Sequence, residues 1–564
     1  MGLGRALADS RYPIDESAYR RLLEADAARG VNPATGHYSV SMASRIDETR
    51  TIRVPTLIVH GSEDPIFPFD HAEALAAAIP GATLVRWEGA GHDLPTPLLP
   101  ELAQLIGDHV TKASWRTPMP TLSVPDLRAA LTGRVLGPGD DGYEQARLVF
   151  YRHYDHHPAV IAQAADASDV ACVIETATRT GLALTVKAGG HSVAGHGAAD
   201  DAIMLDLSAM KGLEIDAEGR TAWAEAGLTA GEYTRAVGAH GLATGFGDTP
   251  TVGIAGLTLG GGVGYLVRKH GLTIDNLLAA EIVTADGQRR HVDAETEPDL
   301  FWAIRGGGGN FGVVTRLKLR LHEVGTVLGG MLLLPATAEV IESFVAAALA
   351  APDELSAIAN IMIAPPMEPI PPAYHGRLVM MAMLVYAGPL DEGERVVAPF
   401  RAIAPPLADL VAPIPYPDIF EEMMDHLDGE EAARSFFLDH VDRATAETIV
   451  ERFKTARAPI AVIQLRALGG AMARVPADAT AYAHRTQPIM VSLGNVFEDP
   501  AGADAHRAWV ADFAAAIDQG VPGVYVNFVG HEGPERVRDA YREAGLSAQS
   551  EVPIGDWAAL LLRA

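Results

Sequence analysis

The chain has 564 residues, 48% hydrophobic and 21% charged, a composition typical of a globular protein with roughly three to four domains or subdomains. Its formal net charge of −28 argues against a nucleic-acid partner, which would require clustered Lys and Arg. The single cysteine, Cys172, excludes an internal disulfide or a cysteine-rich zinc site, and no apolar run reaches the roughly 18 residues of a membrane span. We therefore expect a cytoplasmic protein that binds neither nucleic acid nor membrane.

The first predicted elements follow the order strand, acid, helix, strand, histidine. Residues 54–62 (VPTLIVHGS) predict a buried parallel strand, and an alanine-rich helix over 70–79 leads to a second strand in ATLVRWEG. This order resembles the C-terminal third of an α/β-hydrolase, with Asp64 and His92 at the places of the acid and the histidine. That family needs a G-x-S-x-G serine turn before the acid, and the nearest approximation, GHSVA, comes after both partners. The pattern predicts a partial hydrolase-like lobe over 1–112 without esterase activity.

The next stretch predicts a linker and a histidine-rich loop. Prolines and glycines are frequent after residue 112, and residues 113–128 are interpreted as the linker. His153, His156 and His157 then lie close together in YRHYDHHPAV. Imidazoles are good metal ligands, but no carboxylate or cysteine at helical spacing completes a shell. A solvated loop is favoured, and no metal is predicted.

Three glycine-rich segments follow in one region, at 187–197, 245–277 and 299–321. Glycine lets backbone N–H groups approach a pyrophosphate without an intervening side chain. The last segment contains a formal G-x-G-x-x-G at Gly307, Gly309 and Gly312, which in a Rossmann fold would open a helix. Here it leads into VVTRLKLRL, whose alternating β-branched pattern predicts a strand, so a Rossmann site is disfavoured.

These segments resemble the FAD-linked oxidases of the berberine-bridge-enzyme type, within the vanillyl-alcohol-oxidase and p-cresol-methylhydroxylase (PCMH) flavoproteins. The resemblance runs from about Ala129 to Tyr541 and is carried by GGHS, PTVGIAGLTLGGG, DLFWAIRGGGGNFGVVT and YVNF. It implies an α+β protein: a two-subdomain PCMH-type FAD-binding domain over 129–322 and 521–564, with an antiparallel-sheet substrate domain over 323–520. The hydrolase-like lobe precedes this fold.

The resemblance also implies which residues hold FAD. The histidine of G-G-H is bonded to the flavin 8α-methyl in this family, so His191 becomes the linking residue. The implied cofactor-binding residues besides it are Ala188, Gly189, Gly190, Ser192, Val193, Thr251, Val252, Gly253, Gly256, Thr258, Gly260, Gly261, Gly264, Gly312, Val314 and Asn527. Many members carry a second flavin bond from a cysteine in G-x-C-P-T-V-G; Thr249 occupies that place, so attachment through one histidine is expected.

The candidate catalytic and substrate-binding residues come from the later segments. One face of the family's substrate sheet covers the flavin, which makes Gln464 and Arg466 candidates for substrate contact, while core or surface roles remain open. Tyr416 is a weaker catalytic candidate. In Y-V-N-F, Phe528 stands where many relatives have a tyrosine base, so Tyr525 is the first candidate for the base. The usual ending of the family is missing beyond Tyr541.

The sequence therefore predicts an FAD-dependent oxidoreductase that removes a hydride from a C–H next to O or N of a small molecule. O2 is expected to reoxidise the flavin and give H2O2. An impaired or non-catalytic fusion product and an esterase using Asp64 and His92 remain as alternatives. Sugars, alkaloids, polyketides and N-heterocycles are all open as substrates.

Overall fold

The computed structural model describes residues 52, 55–92, 96–112, 121–366, 370–420, 426–530 and 532–541. The chain divides into two compact units between residues 121 and 122. No helix in the described part is long and apolar enough to cross a membrane. Within the same residues, no group of three or more His, Cys, Asp or Glu side chains is placed to hold a metal ion.

The N-terminal unit contains a βαβ element. Strands β1 (Leu57–Gly61) and β2 (Thr83–Trp87) pair in parallel, and helix α1 (Phe69–Ala78) connects them, as a parallel pair requires. Helix α2 (Leu99–Lys112) follows, preceded by a short 3₁₀ turn. The buried Trp87 donates its indole N–H to Glu101 of α2 at 3.2 Å, so the strand pair and α2 are fastened together.

The second unit opens with a four-stranded sheet of order β3-β4-β6-β5. Its elements are α3 (Val124–Ala130), β3 (Arg134–Leu136), α4 (Tyr143–Ala146), β4 (Val160–Gln163), α5 (Ala167–Thr180), β5 (Leu184–Lys187) and β6 (Ile203–Asp206). Asp166 caps α5 by accepting the N–H groups of Ser168 and Asp169. Val170, Val173, Ile174 and Ala177 recur at helical spacing and are buried on α5, and Cys172 lies on this helix as an ordinary half-buried residue.

A five-stranded antiparallel sheet of order β11-β10-β12-β8-β7 follows. Its region contains β7 (Leu213–Asp216), β8 (Thr221–Glu225), α6 (Ala230–Gly238), β9 (Leu242–Ala243), α7 (Ile254–Leu259), α8 (Val267–His270), β10 (Leu277–Val283), β11 (Arg289–Asp293), α9 (Pro298–Ala303), β12 (Val313–Arg320) and β13 (His322–Glu323). The G-x-G-x-x-G thus opens strand β12 and not a helix, which confirms the strand prediction.

The third sheet is antiparallel and has eight strands, in the order β17-β14-β16-β15-β20-β21-β19 with β18 paired to β14. Its elements are β14 (Thr326–Pro335), α10 (Ala338–Ala350), β15 (Leu355–Ile363), β16 (Leu378–Tyr386), α11 (Leu390–Ala402), β17 (Ala408–Asp409), β18 (Ala412–Pro415), β19 (Glu430–Leu438), α12 (Arg443–Phe453), β20 (Ile460–Ala467), α13 (Ala471–Arg474), β21 (Ile489–Phe497) and α14 (Ala503–Ile517). Helices α10, α11, α12 and α14 cover one face and form a large apolar core with it. The other face, hereafter the open face, carries Asn360, Gln464 and Ser492 in register.

The chain then returns to the region of the first two sheets. A 3₁₀ turn (Val526–Phe528) and helix α15 (Pro534–Tyr541) complete the described part. The atypical ending at 542–564 lies outside the described residues. The predicted α+β architecture with an antiparallel substrate sheet is confirmed.

Candidate functional site

Two glycine-rich segments meet in direct backbone contact. A Cβ on Gly189, which follows β5, would lie 2.2 Å from the backbone N of Gly253, and a Cβ on Gly253 would lie 2.4 Å from the N of Gly189. No side chain fits at either position. Gly190 has φ +73, a conformation that favours glycine, and its carbonyl accepts the N–H of Phe150 at 3.0 Å. These contacts fix the loop that carries His191.

The His191 imidazole is held in one orientation by two neighbours. Its ring stacks on Phe150 with the centroids 4.1 Å apart, and its Nε2 is hydrogen-bonded to Thr251 Oγ1 at 3.0 Å. Burial lowers the pKa of His191 to about 4. The ring is therefore neutral at pH 7 and keeps the lone pair that a nucleophile or ligand needs.

The rest of the predicted loop supports this position. Ser192 Oγ accepts the N–H of His196 at 3.3 Å, and the Val193 carbonyl accepts the Tyr154 hydroxyl proton at 2.8 Å. Ala188 is half-buried just before the paired glycines, and His196 is an exposed turn residue. These groups maintain the turn.

A second glycine wall, formed by the predicted cofactor-binding residues from Gly253 to Gly264, lies in and around helix α7, after Thr251 and Val252. An added Cβ on Gly256 would meet no atom within 4 Å, so this turn of the helix faces open space. Thr258 is fully buried, and its hydroxyl donates to the Ile254 carbonyl at 2.6 Å. The threonine therefore holds the helix, while the glycine exposes its backbone.

Asn527 and Tyr525 hold the glycines that follow α7 in place through hydrogen bonds and close contacts. A Cβ on Gly260 would lie 2.0 Å from Asn527 Oδ1, and the Asn527 amide donates to the Leu257 carbonyl at 3.0 Å. The Tyr525 oxygen accepts the Asn527 amide at 2.9 Å and the Gly262 N–H at 3.0 Å. Burial raises the pKa of the Tyr525 phenol, although these hydrogen bonds oppose it. This environment favours a positioning role for Tyr525.

The remaining predicted glycines mark close backbone approaches. A Cβ on Gly261 would lie 3.2 Å from both Tyr482 and Tyr525, and one on Gly264 would lie 2.3 Å from the Phe246 carbonyl oxygen. Gly312 has φ +147 and would meet the Val283 carbonyl oxygen at 2.6 Å, and Val314 is buried in β12. These residues shape the walls through packing.

Gln464 and Arg466 belong to a polar chain on the open face. Arg466 is 4% exposed; it pairs with Asp248 Oδ2 at 2.5 Å and donates from Nε to Gln464 Oε1 at 2.7 Å. Gln464 donates to Asn360 Oδ1 at 2.7 Å. Asp248 adjoins Thr249, so these hydrogen-bonded side chains connect the predicted flavin motif to the substrate sheet. The Arg466 guanidinium also lies 5.6 Å from the centre of the Phe528 ring.

Tyr416 lies elsewhere. It is fully buried in an apolar cluster with Tyr265, Val327 and Ile358, and its hydroxyl has no hydrogen-bond partner among the described residues. Burial raises the pKa of this phenol. A substrate has no access to it in this structure, so Tyr416 has no part in the proposed function.

Several residues of this region were not expected from the sequence. Asp248 stands inside the quoted flavin motif, and Asn360 is the polar residue of the apolar run AIANIMI, so both had a recognisable signal. Phe150 and Tyr151 had none, because their neighbours are far away in the sequence.

The predicted acid and histidine of the N-terminal unit also meet. Asp64 Oδ2 lies 2.9 Å from His92 Nδ1, and Asp64 Oδ1 accepts the N–H groups of Ile66 and Phe67. Burial by itself would raise the pKa of Asp64. The hydrogen bonds from Phe67, His92 and Ile66 outweigh it, and the pKa of Asp64 is lowered. Ser62 Oγ accepts the Gly89 N–H at 2.8 Å and so closes a turn.

The glycine walls and the neutral imidazole fit a flavin dinucleotide, and the comparison with known families agrees. Residues 158–293 match the family model of an FAD binding domain. The chain carries an FAD-binding domain. Residues 3–95 match the family model of the alpha/beta hydrolase fold. The predicted cofactor, FAD, and the predicted hydrolase-like segment are both confirmed.

Individual relatives agree with this assignment. The chain is 38% identical to (R)-6-hydroxynicotine oxidase of Paenarthrobacter nicotinovorans over 195 residues, which are 35% of this chain and 43% of that protein. Over this segment the chain spans less than half the length of the curated relatives that it matches there.

Two solved structures cover more of the chain. The crystal structure of 6-hydroxy-D-nicotine oxidase from Arthrobacter nicotinovorans is 25% identical, with a TM-score of 0.67, over 78% of this chain and 96% of that one. The BBE-like 1 protein of Physcomitrella patens shares the fold at 23% identity, with a TM-score of 0.66, over 76% and 95% of the two chains. The predicted fold, that of a PCMH-type flavoprotein with an antiparallel substrate sheet, is confirmed.

Proposed function

We propose that the chain is an oxidase that takes a hydride from a C–H bond next to O or N of a small molecule, with FAD attached covalently through His191 alone. O2 would be the electron acceptor and H2O2 the second product. When bound, FAD accepts the hydride. The likeness to nicotine oxidases supports a cyclic amine as the first substrate class to test, and sugars are the second. The cytoplasmic location stays a prediction.

The position of His191 is the observation that supports covalent attachment of FAD through a single residue. Its neutral imidazole lies against Thr251, in the same turn as Thr249, which stands at the place of the second linker. A neutral imidazole is nucleophilic toward an electron-poor ring methyl, whereas a threonine hydroxyl at neutral pH is not. The geometry therefore supports one covalent bond and not two.

The chain's residues would orient the donor carbon and exclude water. Gln464 and Arg466 are fixed by each other and by Asn360 and Asp248, so they present a rigid polar wall on the open face. Met381 and Met383, opposite Asn360 and Ile358 in the register, add apolar surface to this face. Such a wall suits a small substrate with one polar end.

The visible spectrum tests the proposal. The purified protein is expected to be yellow, and after acid precipitation the flavin should stay with the pellet. His191→Ala should release it into the supernatant, while His196→Ala, a matched change at the exposed neighbouring histidine, should retain it. Anaerobic bleaching by 6-hydroxynicotine or by glucose would identify the substrate class, and H2O2 formation in air would identify the acceptor. A colourless protein would favour the impaired fusion product.

A further inference from the structure

The Thr251 hydroxyl distinguishes the two nitrogens of the His191 ring. Thr251 Oγ1 lies 3.0 Å from His191 Nε2, whereas His191 Nδ1 has no hydrogen-bond partner among the described residues. The histidine is only half-buried, so its ring is not sealed off from a bound molecule. One nitrogen is therefore held by the protein, and the other is left for a ligand.

Thr251 belongs to a segment whose backbone is fixed on both sides. The carbonyl groups of its neighbours, Pro250 and Val252, each accept a backbone N–H from the first turn of α6 at 2.8 Å. A Cβ on Gly189 would lie 3.1 Å from the Thr251 carbonyl oxygen, so the loop that carries His191 packs directly against this segment. The hydroxyl is thus presented to the imidazole from a rigid support.

The plane of the imidazole is set by Phe150. The two rings stack with their centroids 4.1 Å apart and their planes inclined by 23°. The Phe150 carbonyl accepts the Leu427 N–H at 2.9 Å, and the adjacent Tyr151 hydroxyl is hydrogen-bonded to Glu431 of β19, so the aromatic segment is anchored to the substrate sheet. Turning the imidazole over would preserve the stack. Only the hydrogen bond to Thr251 therefore decides which nitrogen is held.

A hydroxyl group suits this nitrogen both before and after a covalent bond forms on Nδ1. In the neutral ring, Nε2–H donates to Thr251 Oγ1 and the lone pair is on Nδ1. Once Nδ1 is bonded to carbon, the neutral ring has its lone pair on Nε2, and the Thr251 O–H donates to it. The hydroxyl only has to rotate, whereas a carbonyl oxygen or an N–H group could serve one of the two states.

We propose that Thr251 is a positioning residue for covalent attachment of the flavin, because it selects the form of His191 in which Nδ1 makes the bond. The Nδ1 lone pair bonds to the 8α-carbon, and one C–H bond of that methyl breaks and leaves its electron pair on the flavin ring. The methyl proton and the Nε2 proton go to water. O2 then takes up two electrons and two protons as H2O2, which restores the oxidised flavin. This role rests on the proposed attachment through His191.

Thr251→Val and Thr251→Ser form a matched pair for the test. Valine keeps the shape without the hydroxyl, and serine keeps the hydroxyl without the methyl. The full-length proteins, purified without flavin from riboflavin-starved cells, are mixed with FAD in air, and the flavin in the acid-precipitated pellet is followed over time. Loss of one hydrogen bond should slow attachment about 3–10-fold in Thr251→Val, and Thr251→Ser should attach at the wild-type rate. A wild-type rate in Thr251→Val, or equal slowing in both variants, would overturn the proposal.

The linking nitrogen is a property that a general loss of packing would not change. Nitrogen-15 NMR of the histidyl-flavin peptide released by proteolysis should show the bond at Nδ1 in the wild type. In Thr251→Val both nitrogens should be linked, as a mixture of two peptides. A wild-type bond at Nε2, or a bond at Nδ1 alone in Thr251→Val, would contradict the selection by Thr251.

A third measurement separates this role from the proposed attachment itself. Nitrogen-15 spectra of the flavin-free chain, with the His191 signals identified by their absence from His191→Ala, should show Nε2–H in the wild type and both tautomers in Thr251→Val. If that result is found but the wild-type pellet holds no flavin, the proposed attachment is wrong and Thr251 only holds the ring. If the pellet holds flavin but the wild type carries its proton on Nδ1, the attachment stands and the role of Thr251 is refuted.

Discussion

Removing the Asp248 carboxylate should destabilise the protein more than removing its partner, Arg466. The guanidinium is 4% exposed, so Asp248→Ala leaves a buried cation without its anion, a loss of about 3–5 kcal/mol. Gln464 still accepts one hydrogen bond at 2.7 Å and the Phe528 ring lies 5.6 Å away, so we expect the lower end, about 3 kcal/mol. Arg466→Met leaves Asp248, whose side chain is 24% exposed, open to hydration, a loss of about 1–2 kcal/mol.

Thermal unfolding followed by flavin fluorescence measures these differences. At about 2 °C per kcal/mol for a large domain, Asp248→Ala should lower the Tm by about 6 °C. The double variant should resemble Arg466→Met alone, because no buried charge is left unpaired. The control, Arg507→Met, breaks an exposed pair with Glu430 worth about 0–1 kcal/mol. An Asp248→Ala shift no larger than this control, or additive losses in the double variant, would refute the reasoning.

Four further outcomes are expected. His191→Ala should transfer all flavin to the acid supernatant; covalent flavin in that variant would show that another residue is the linker. Asp64→Ala should leave oxidase turnover unchanged, and the parent should not hydrolyse nitrophenyl esters; an esterase activity lost in the variant would contradict the remnant interpretation. Tyr525→Phe should keep the flavin and slow its anaerobic reduction less than about 10-fold, against the 10²–10⁴-fold of a general base. Burial lowers the pKa of His322 to about 4. The folded state therefore favours the neutral ring, and this stabilisation is present above the unfolded pKa of about 6.5 and lost as the pH falls toward 4. His322→Gln should make the Tm fall less over this pH range, and an unchanged pH profile of the Tm would contradict this.

The sequence by itself determined the elements and the cofactor. Alternation predicted strand β12, and apolar residues at helical spacing from Val170 to Ala177 indicate helix α5, because both periods are local properties of the chain. The glycines at 189 and 253 indicated close backbone approach, since only a residue without a Cβ fits there. The G-G-H motif gave His191, and the hydrolase-like order gave Asp64 and His92, which meet at 2.9 Å.

The tertiary structure decided which distant side chains meet and which are buried. Tyr416 and Tyr525 are both tyrosines in short loops between apolar runs, yet one lies in an apolar core and the other accepts two N–H groups beside the glycine wall. Asp248 and Arg466 are separated by more than two hundred positions, as are Tyr151 and Glu431, and no local pattern relates either pair. Periodicity predicts which face of an element a residue lies on, but the partner of a buried charge depends on which sheet covers that face. The packing of the domains decides this, because a carboxyl group or guanidinium loses its water, and is paired or left unpaired, only when the domains come together.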